Sequence, residues 1–262
     1  MAKIQFYGKG ILREQDYIDN TAYMETLGLP KIEDAPLHDT ALAVVGGGPS
    51  IVSHLDEIRS FPGHVWGVNG AFNWCKRNGI KSVYVTVDPK PPTKLIELGP
   101  SDEAIVADYT CPVRMERLLR KGPRIRTYKV HPEGRGWTGP STASVAMCMA
   151  PIMGYQHITF FGCESCFSDQ KHAYPSDDYH DLLVVDVAGE KFLTAPQLII
   201  QAEVMSAAIR KFPHIYRERS GGLLSALVEH GEENYNVTRV SRSILEGIEQ
   251  LRADNERMAA NL

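Results

Sequence analysis

Two groups of residues in this chain have the types and spacing to do chemistry. The first is Gly46-Gly47-Gly48-Pro49-Ser50, which follows the apolar run Ala41-Leu42-Ala43-Val44-Val45. Glycines that tolerate positive φ let backbone N–H groups close on a ligand, and Pro49 lacks a donor that a first helical turn would leave unpaired. Backed by a helix dipole, such amides favour a phosphate or carboxylate, although the same glycines would also serve a turn with no ligand. The second group follows Ile158-Thr159-Phe160-Phe161-Gly162 and holds Glu164, His172, Tyr174 and His180 within a short polar and aromatic span. Loops beyond the carboxyl ends of parallel strands are where open α/β sheets bind ligands. Imidazole titrates near neutral pH and suits a general base, so this loop is where an acid, a base or a metal ligand is expected. Asp88 ends another strand, and with Glu164 it has the charge to hold Mg²⁺ between phosphates. A strand-end turn at Asp88-Pro89 and solvated loop histidines are the structural alternatives.

Neighbouring chemistries are excluded by missing residues. A kinase-type phosphate loop needs Gly-Lys-Ser or Gly-Lys-Thr, and here Gly48 is followed by Pro49-Ser50. A dinucleotide fingerprint needs a third glycine where Ile51 stands, and an acid ending the second strand where Asn69 stands. A neutral amide there can still bond a ribose or a base edge, which points to a nucleotide other than NAD. Cys163 and Cys166 have the spacing of half a zinc knuckle with no second pair, so no metal site is expected from them.

The elements that must position these residues alternate apolar runs with helix-period segments from residue 41 onward. Strands are expected at 41–45, 64–69, 82–87, 104–107, 125–130, 158–162 and 215–217. A hairpin at the sheet edge is expected over 182–194. Ile51, Val52, Leu55 and Ile58 give the helix after the glycines one apolar face. Further helices are expected over 71–77, 143–150, 196–211 and 223–229, with Ser141 or Thr138 capping the second of these. The fold class is α/β, a Rossmann-like and mostly parallel sheet with helices on both faces. The expected organisation is an N-terminal arm over 1–40, a nucleotide-binding domain over 41–232, and a C-terminal helical tail over 233–262 whose Ile244, Ile248 and Leu251 share a face. The arm packs on the domain or makes an oligomer contact.

Composition limits the partners. The 262 residues are 43% hydrophobic and 23% charged, ordinary globular proportions, and the net charge of -4 gives no global attraction to nucleic acid or an anionic membrane. No apolar stretch approaches the roughly 20 residues needed to span a bilayer, and the first residues lack the apolar core of a signal peptide. A cytoplasmic location is expected. The five cysteines suit reduced thiols better than a disulfide framework.

Val44-Val45-Gly46-Gly47-Gly48-Pro49-Ser50, Trp66-Gly67-Val68-Asn69, Val85-Thr86-Val87-Asp88-Pro89, Thr138-Gly139-Pro140-Ser141, Gly154-Tyr155-Gln156-His157-Ile158 and Phe161-Gly162-Cys163-Glu164 stand in a telling serial order. Over residues 41–230 the chain resembles the family of MptE-type 6-hydroxymethylpterin diphosphokinases and motility-accessory flagellin glycosyltransferases. It is similar also to the bacterial monofunctional sialyltransferases. The resemblance implies a Rossmann-like transferase in which Gly46, Gly48, Pro49, Ser50 and Asn69 hold a cytidine nucleotide bordered by Thr138, Gly139 and Ser141. It also implies tyrosines on the leaving phosphate, where this chain has Phe167 and, near the second place, Tyr174. The general-base histidine of the family falls at Lys191-Phe192-Leu193-Thr194, which contains no histidine. The implied donor is a CMP-linked, sialic-acid-like sugar, with an unspecified acceptor. ATP with Mg²⁺ and a pterin-like alcohol are the alternative, and a non-catalytic nucleotide-binding module is a third.

Overall fold

The computed structural model describes residues 14–89, 91, 95–129, 141–167, 182–231 and 235–239. Its centre is Leu42–Val45 (β1), a strand buried at every position, as an apolar run covered on both faces must be. His64–Val68 (β2), Val83–Thr86 (β3), Glu103–Ala107 (β4) and Arg124–Tyr128 (β5) add successively on one side of it. Ile158–Phe161 (β6) pairs on the other side. After the strands Leu183–Val187 (β7) and Glu190–Thr194 (β8), Tyr216–Glu218 (β9) completes a seven-stranded sheet of order β5-β4-β3-β2-β1-β6-β9. Every neighbouring pair in it is parallel.

Alternate residues feed the two faces. Leu42 and Val44 join Trp66, Val85, Ile105 and Phe160 against Val145 and Met149 of the helix Thr142–Ile152. Ala43 and Val45 point the other way, with Val65 and Phe161, onto Ile51, Ile58, Ala71 and Cys75. Seven helices surround the sheet: Glu14–Thr26 (α1), Leu55–Arg59 (α2), Ala71–Arg77 (α3), Pro112–Lys121 (α4), Thr142–Ile152 (α5), Pro196–Lys211 (α6) and Gly222–His230 (α7), counted among the described residues. The Rossmann-like α/β class is therefore the observed one.

Three expectations are corrected. The helix after the glycines is divided into a 3-10 turn, Pro49–Val52, and the short α2. Ser53 Oγ donates to Ser50 O at 2.8 Å, a local bond that competes with a continuous helix, and Val52 lies 62% exposed. The β7–β8 hairpin turns on Ala188 and Gly189, with φ of 51° and 91°, and does not extend the main sheet. It belongs to a separate three-stranded sheet of order β10-β7-β8, where β10 is Tyr235–Arg239. That strand lies in the segment read as a helical tail; Tyr-Asn-Val-Thr-Arg can pair with the open edge of β7. Residues 244, 248 and 251 lie outside the described residues. After α1, the arm runs along the domain, with Ile32 N donating to Thr127 O and His38 N to Gly154 O. Among the described residues no helix is long and apolar enough to cross a membrane.

The chain builds outward from β1 through β5, and α5 carries it back to β6 on the opposite side. The carboxyl ends of β1, β2, β3 and β6 therefore share one edge of the sheet, beside the point where strand order reverses, and a crevice lies along that edge.

Candidate functional site

The crevice is built first from close backbone approach. Gly46 N donates to Phe161 O at 2.7 Å and Gly48 N to Gly162 O at 2.9 Å. A Cβ on residue 46 would stand 2.3 Å from Gly162 O. None of Gly46, Gly47 and Gly48 takes a positive φ, and Gly48 is extended with φ -69° and ψ 154°. Positions 46 and 48 are glycine for want of space, not for unusual dihedrals. That corrects the reason read from sequence.

Into this space comes Glu164. Its Oε1 accepts from Ser50 N at 2.7 Å, and a Cβ on residue 48 would lie 1.4 Å from Oε2. The amides of residues 46, 48 and 50 are thus engaged by the protein itself, and an anion already sits where an external anion was expected. Glu164 is 7% exposed, and its Oε2 has no hydrogen-bond partner among the described residues.

The backbone on either side of this carboxylate is pinned. Cys163 N donates to Ser220 Oγ at 2.8 Å, and Leu224 N to Glu164 O at 3.1 Å. Ser165 takes φ 58°, an uncommon conformation for a non-glycine residue. Its carbonyl accepts from Thr194 Oγ1 at 2.7 Å and its Oγ from Gln201 Nε2 at 2.8 Å, so α6 and β8 hold the turn. Burial first, then the charges of Glu164 and Glu218, push the Cys163 thiol well above its ordinary pKa, which leaves it a poor nucleophile.

The cleft measures about 470 Å³ and is lined by Gly46, Gly47, Gly48, Asn69, Asp88, Ser141 and Glu164, all expected site residues. Pro49 and Ser50 lie in the 3-10 turn behind it, and Ser50 contributes through its amide to Glu164. Asn69 has φ 50°, which an Asn tolerates better than most side chains. Its Nδ2 donates to Thr142 Oγ1 at 3.2 Å, while Oδ1 is buried with no hydrogen-bond partner among the described residues. Ser141 caps α5 in a reciprocal pair with Ser144, so the amino end of that helix, with Thr142 and Ala143, opens on the cleft. Thr138, Gly139, His172, Tyr174 and His180 lie outside the described residues.

At the far wall, Asp88 Oδ2 accepts from the buried Arg114 at 2.8 Å, and Arg114 also donates to Tyr84 OH at 3.0 Å. Tyr17 and Tyr109 meet edge to face with ring centroids 5.0 Å apart, and both line the cleft. Burial, with the nearby Asp88 charge, raises both phenol pKa values, so both stay protonated. Asp88 and Glu164 share the cleft, but one faces a guanidinium and the other a backbone amide. Among the described residues no group of three or more His, Cys, Asp or Glu side chains is placed to hold a metal ion.

Sequence reasoning missed Tyr17, Tyr109, Thr142, Gln197 and Gln201, which also line the cleft. Tyr17 belongs to the arm, whose weak periodicity shows no site. Gln201, a polar residue buried inside a largely apolar helix, was the available signal.

No family model matches this chain, and no curated protein matches it. Among solved structures, the Maf glycosyltransferase from Magnetospirillum magneticum AMB-1 is similar, with a TM-score of 0.57 and 14% identity. The similarity covers 88% of this chain and 43% of that protein, so the chain spans less than half of its length. At that identity the likeness is one of fold.

Proposed function

We propose that this chain is a transferase that binds a nucleotide-activated sugar, CMP-linked and sialic-acid-like, in the cleft at the carboxyl ends of β1, β2, β3 and β6. The observation that supports the reading is the cleft itself, a space of about 470 Å³ at the point where strand order reverses. Ligands of open α/β sheets bind at such switch points. Because the amides of residues 46, 48 and 50 are engaged, the grip on phosphate falls to the amino end of α5 at Ser141, Thr142 and Ala143, where the helix dipole favours an anion. Asn69 and the tyrosine pair face the nucleoside.

In the transfer, an acceptor hydroxyl forms a bond to the anomeric carbon as the bond to the CMP phosphate oxygen breaks. The acceptor proton passes to a base, for which His172 and His180 are the candidates, and Tyr174 is the candidate donor to the departing phosphate. Glu164, buried and bonded to Ser50, is assigned to binding in place of proton transfer. Thermal shifts with CMP, CDP, UDP, ATP and GDP, each with and without Mg²⁺, test the reading. Cytidine nucleotides are expected to stabilise the protein most, by about 2.7 kcal/mol at 100 times their Kd. A shift with ATP that requires Mg²⁺ would favour the diphosphokinase alternative, and no shift with any nucleotide would overturn the proposal.

A further inference from the structure

The N-terminal arm sends one side chain into the cleft. Tyr17, Asn20 and Met24 share one face of α1, because residues at this spacing stack along a helix. Asn20 and Met24 are buried, and Met24 joins the core cluster that holds Phe72, Tyr84 and Met115. With that part of the face anchored, Tyr17, about two turns before Met24, is carried to the cleft wall. There its ring meets Tyr109 with centroids 5.0 Å apart and planes at 73°.

Tyr109 is set rigidly. It follows β4 in a turn where Asp108 N donates to Tyr128 O at 3.0 Å and Thr110 Oγ1 to Ala107 O at 2.8 Å, and Cys111 N ties the turn to Pro89 O at 3.2 Å. The contact between the two rings uses little of them. In an edge-to-face pair one ring keeps both faces clear of its partner and the other keeps one, and both side chains are only partly buried.

We infer that the arm is part of the nucleotide site: Tyr17 and Tyr109 form the wall on which the base stacks. This rests on the nucleotide reading above and assigns the base its place within the cleft. Charge separates the two ends of the ligand. Asp88 stands close enough for its negative charge to act on both phenols, and Arg114 matches that charge at 2.8 Å, so this wall offers a phosphate no net attraction. The amino end of α5 does offer one, through Ser141, Thr142 and Ala143. A nucleotide spanning the two lays its uncharged base on the tyrosines, where stacking needs only a π-face.

The test is calorimetric titration of the full chain with CMP and with ribose 5-phosphate, which keeps the sugar and phosphate and lacks the base. CMP is expected to bind the wild type on the order of 10- to 100-fold more tightly. In Tyr17→Leu and Tyr109→Leu that gap should fall by about 10-fold while the affinity for ribose 5-phosphate holds, and Tyr17→Phe should keep the full gap. Equal binding of the two ligands by the wild type would overturn the inference and leave phosphate binding in the cleft intact, and this comparison needs no variant to fold. A gap that survives both leucine variants would overturn it too, as would an equal fall for both ligands, the mark of a purely structural role. Loss of the gap in Tyr17→Phe would assign the contact to the hydroxyl and overturn the stacking. Failure of the wild type to bind any nucleotide would remove both the inference and the reading beneath it.

Discussion

A Cβ on residue 48 would stand 1.4 Å from Oε2 of Glu164 and 2.3 Å from its Cδ, so the glycine after β1 and the glutamate after β6 are two halves of one fitting. The glycine leaves the space and the carboxylate fills it, bonding the amide two residues further on at 2.7 Å.

Gly48→Ala is therefore expected to destabilise the protein by about 1–3 kcal/mol, the usual cost of overpacking. The backbone at φ -69° and ψ 154° imposes no dihedral penalty on alanine, so the loss reports the clash with Glu164. Urea denaturation of Gly48→Ala, Glu164→Ala and the double variant should return a coupling energy of about 1 kcal/mol or more. Strict additivity would separate the two residues.

Asn69 combines an unusual φ of 50° with a side chain facing the cleft. Asn69→Gly keeps the conformation and removes the amide, so it should remain folded and bind nucleotide about 10-fold or more weakly. Asn69→Asp should weaken binding further by repelling phosphate. Unchanged nucleotide affinity in both would leave Asn69 with a purely conformational role.

His172→Ala, Tyr174→Phe and His180→Ala, made separately, locate the chemistry. A side chain that passes a proton in the transition state contributes roughly 10²–10⁴ in rate, so at least one variant should lose that much turnover with nucleotide binding intact. Glu164→Gln should change binding more than kcat. Full turnover in all three would move the base elsewhere.

Alkaline conditions should unfold the protein through its buried weak acids. Burial pushes the Cys75 thiol from 9.0 up to about 12, and the phenols of Tyr128 and Tyr216 from 10.0 to about 12. The folded state holds these protons to higher pH than the unfolded chain does. The stability they give is complete below pH 9 and is lost between pH 9 and about 12, at up to about 1.4 kcal/mol per pH unit for each group. Tm followed across that range should fall, and Cys75→Ala should flatten the early part of the fall.

Ser141→Ala removes the hydroxyl that accepts from Ser144 N at 3.2 Å and should cost about 1 kcal/mol through the lost cap of α5. Chemical denaturation gives the stability change. If the α5 terminus grips phosphate, CMP affinity should fall by more than cytidine affinity in the same variant.

The sequence by itself determined the elements and their class. Apolar β-branched runs such as Val83–Thr86 and the helix-period segment Pro196–Lys211 carry their periodicity locally, and alternation of the two in chain order demands a parallel sheet. It also marked Gly46, Gly47, Gly48, Asn69, Asp88, Ser141 and Glu164, because each stands where a strand ends or a helix begins, and those ends gather on one edge of a parallel sheet. Tertiary structure decided what the glycines are for. The local sequence of residues 46–50 describes an empty anion cradle, whereas the carboxylate that enters it comes from a strand end far along the chain and arrives because β6 pairs with β1. Periodicity cannot report that meeting, nor the arrival of Tyr17 from the arm or Gln201 from α6, because each depends on packing between segments whose own patterns are indifferent to it.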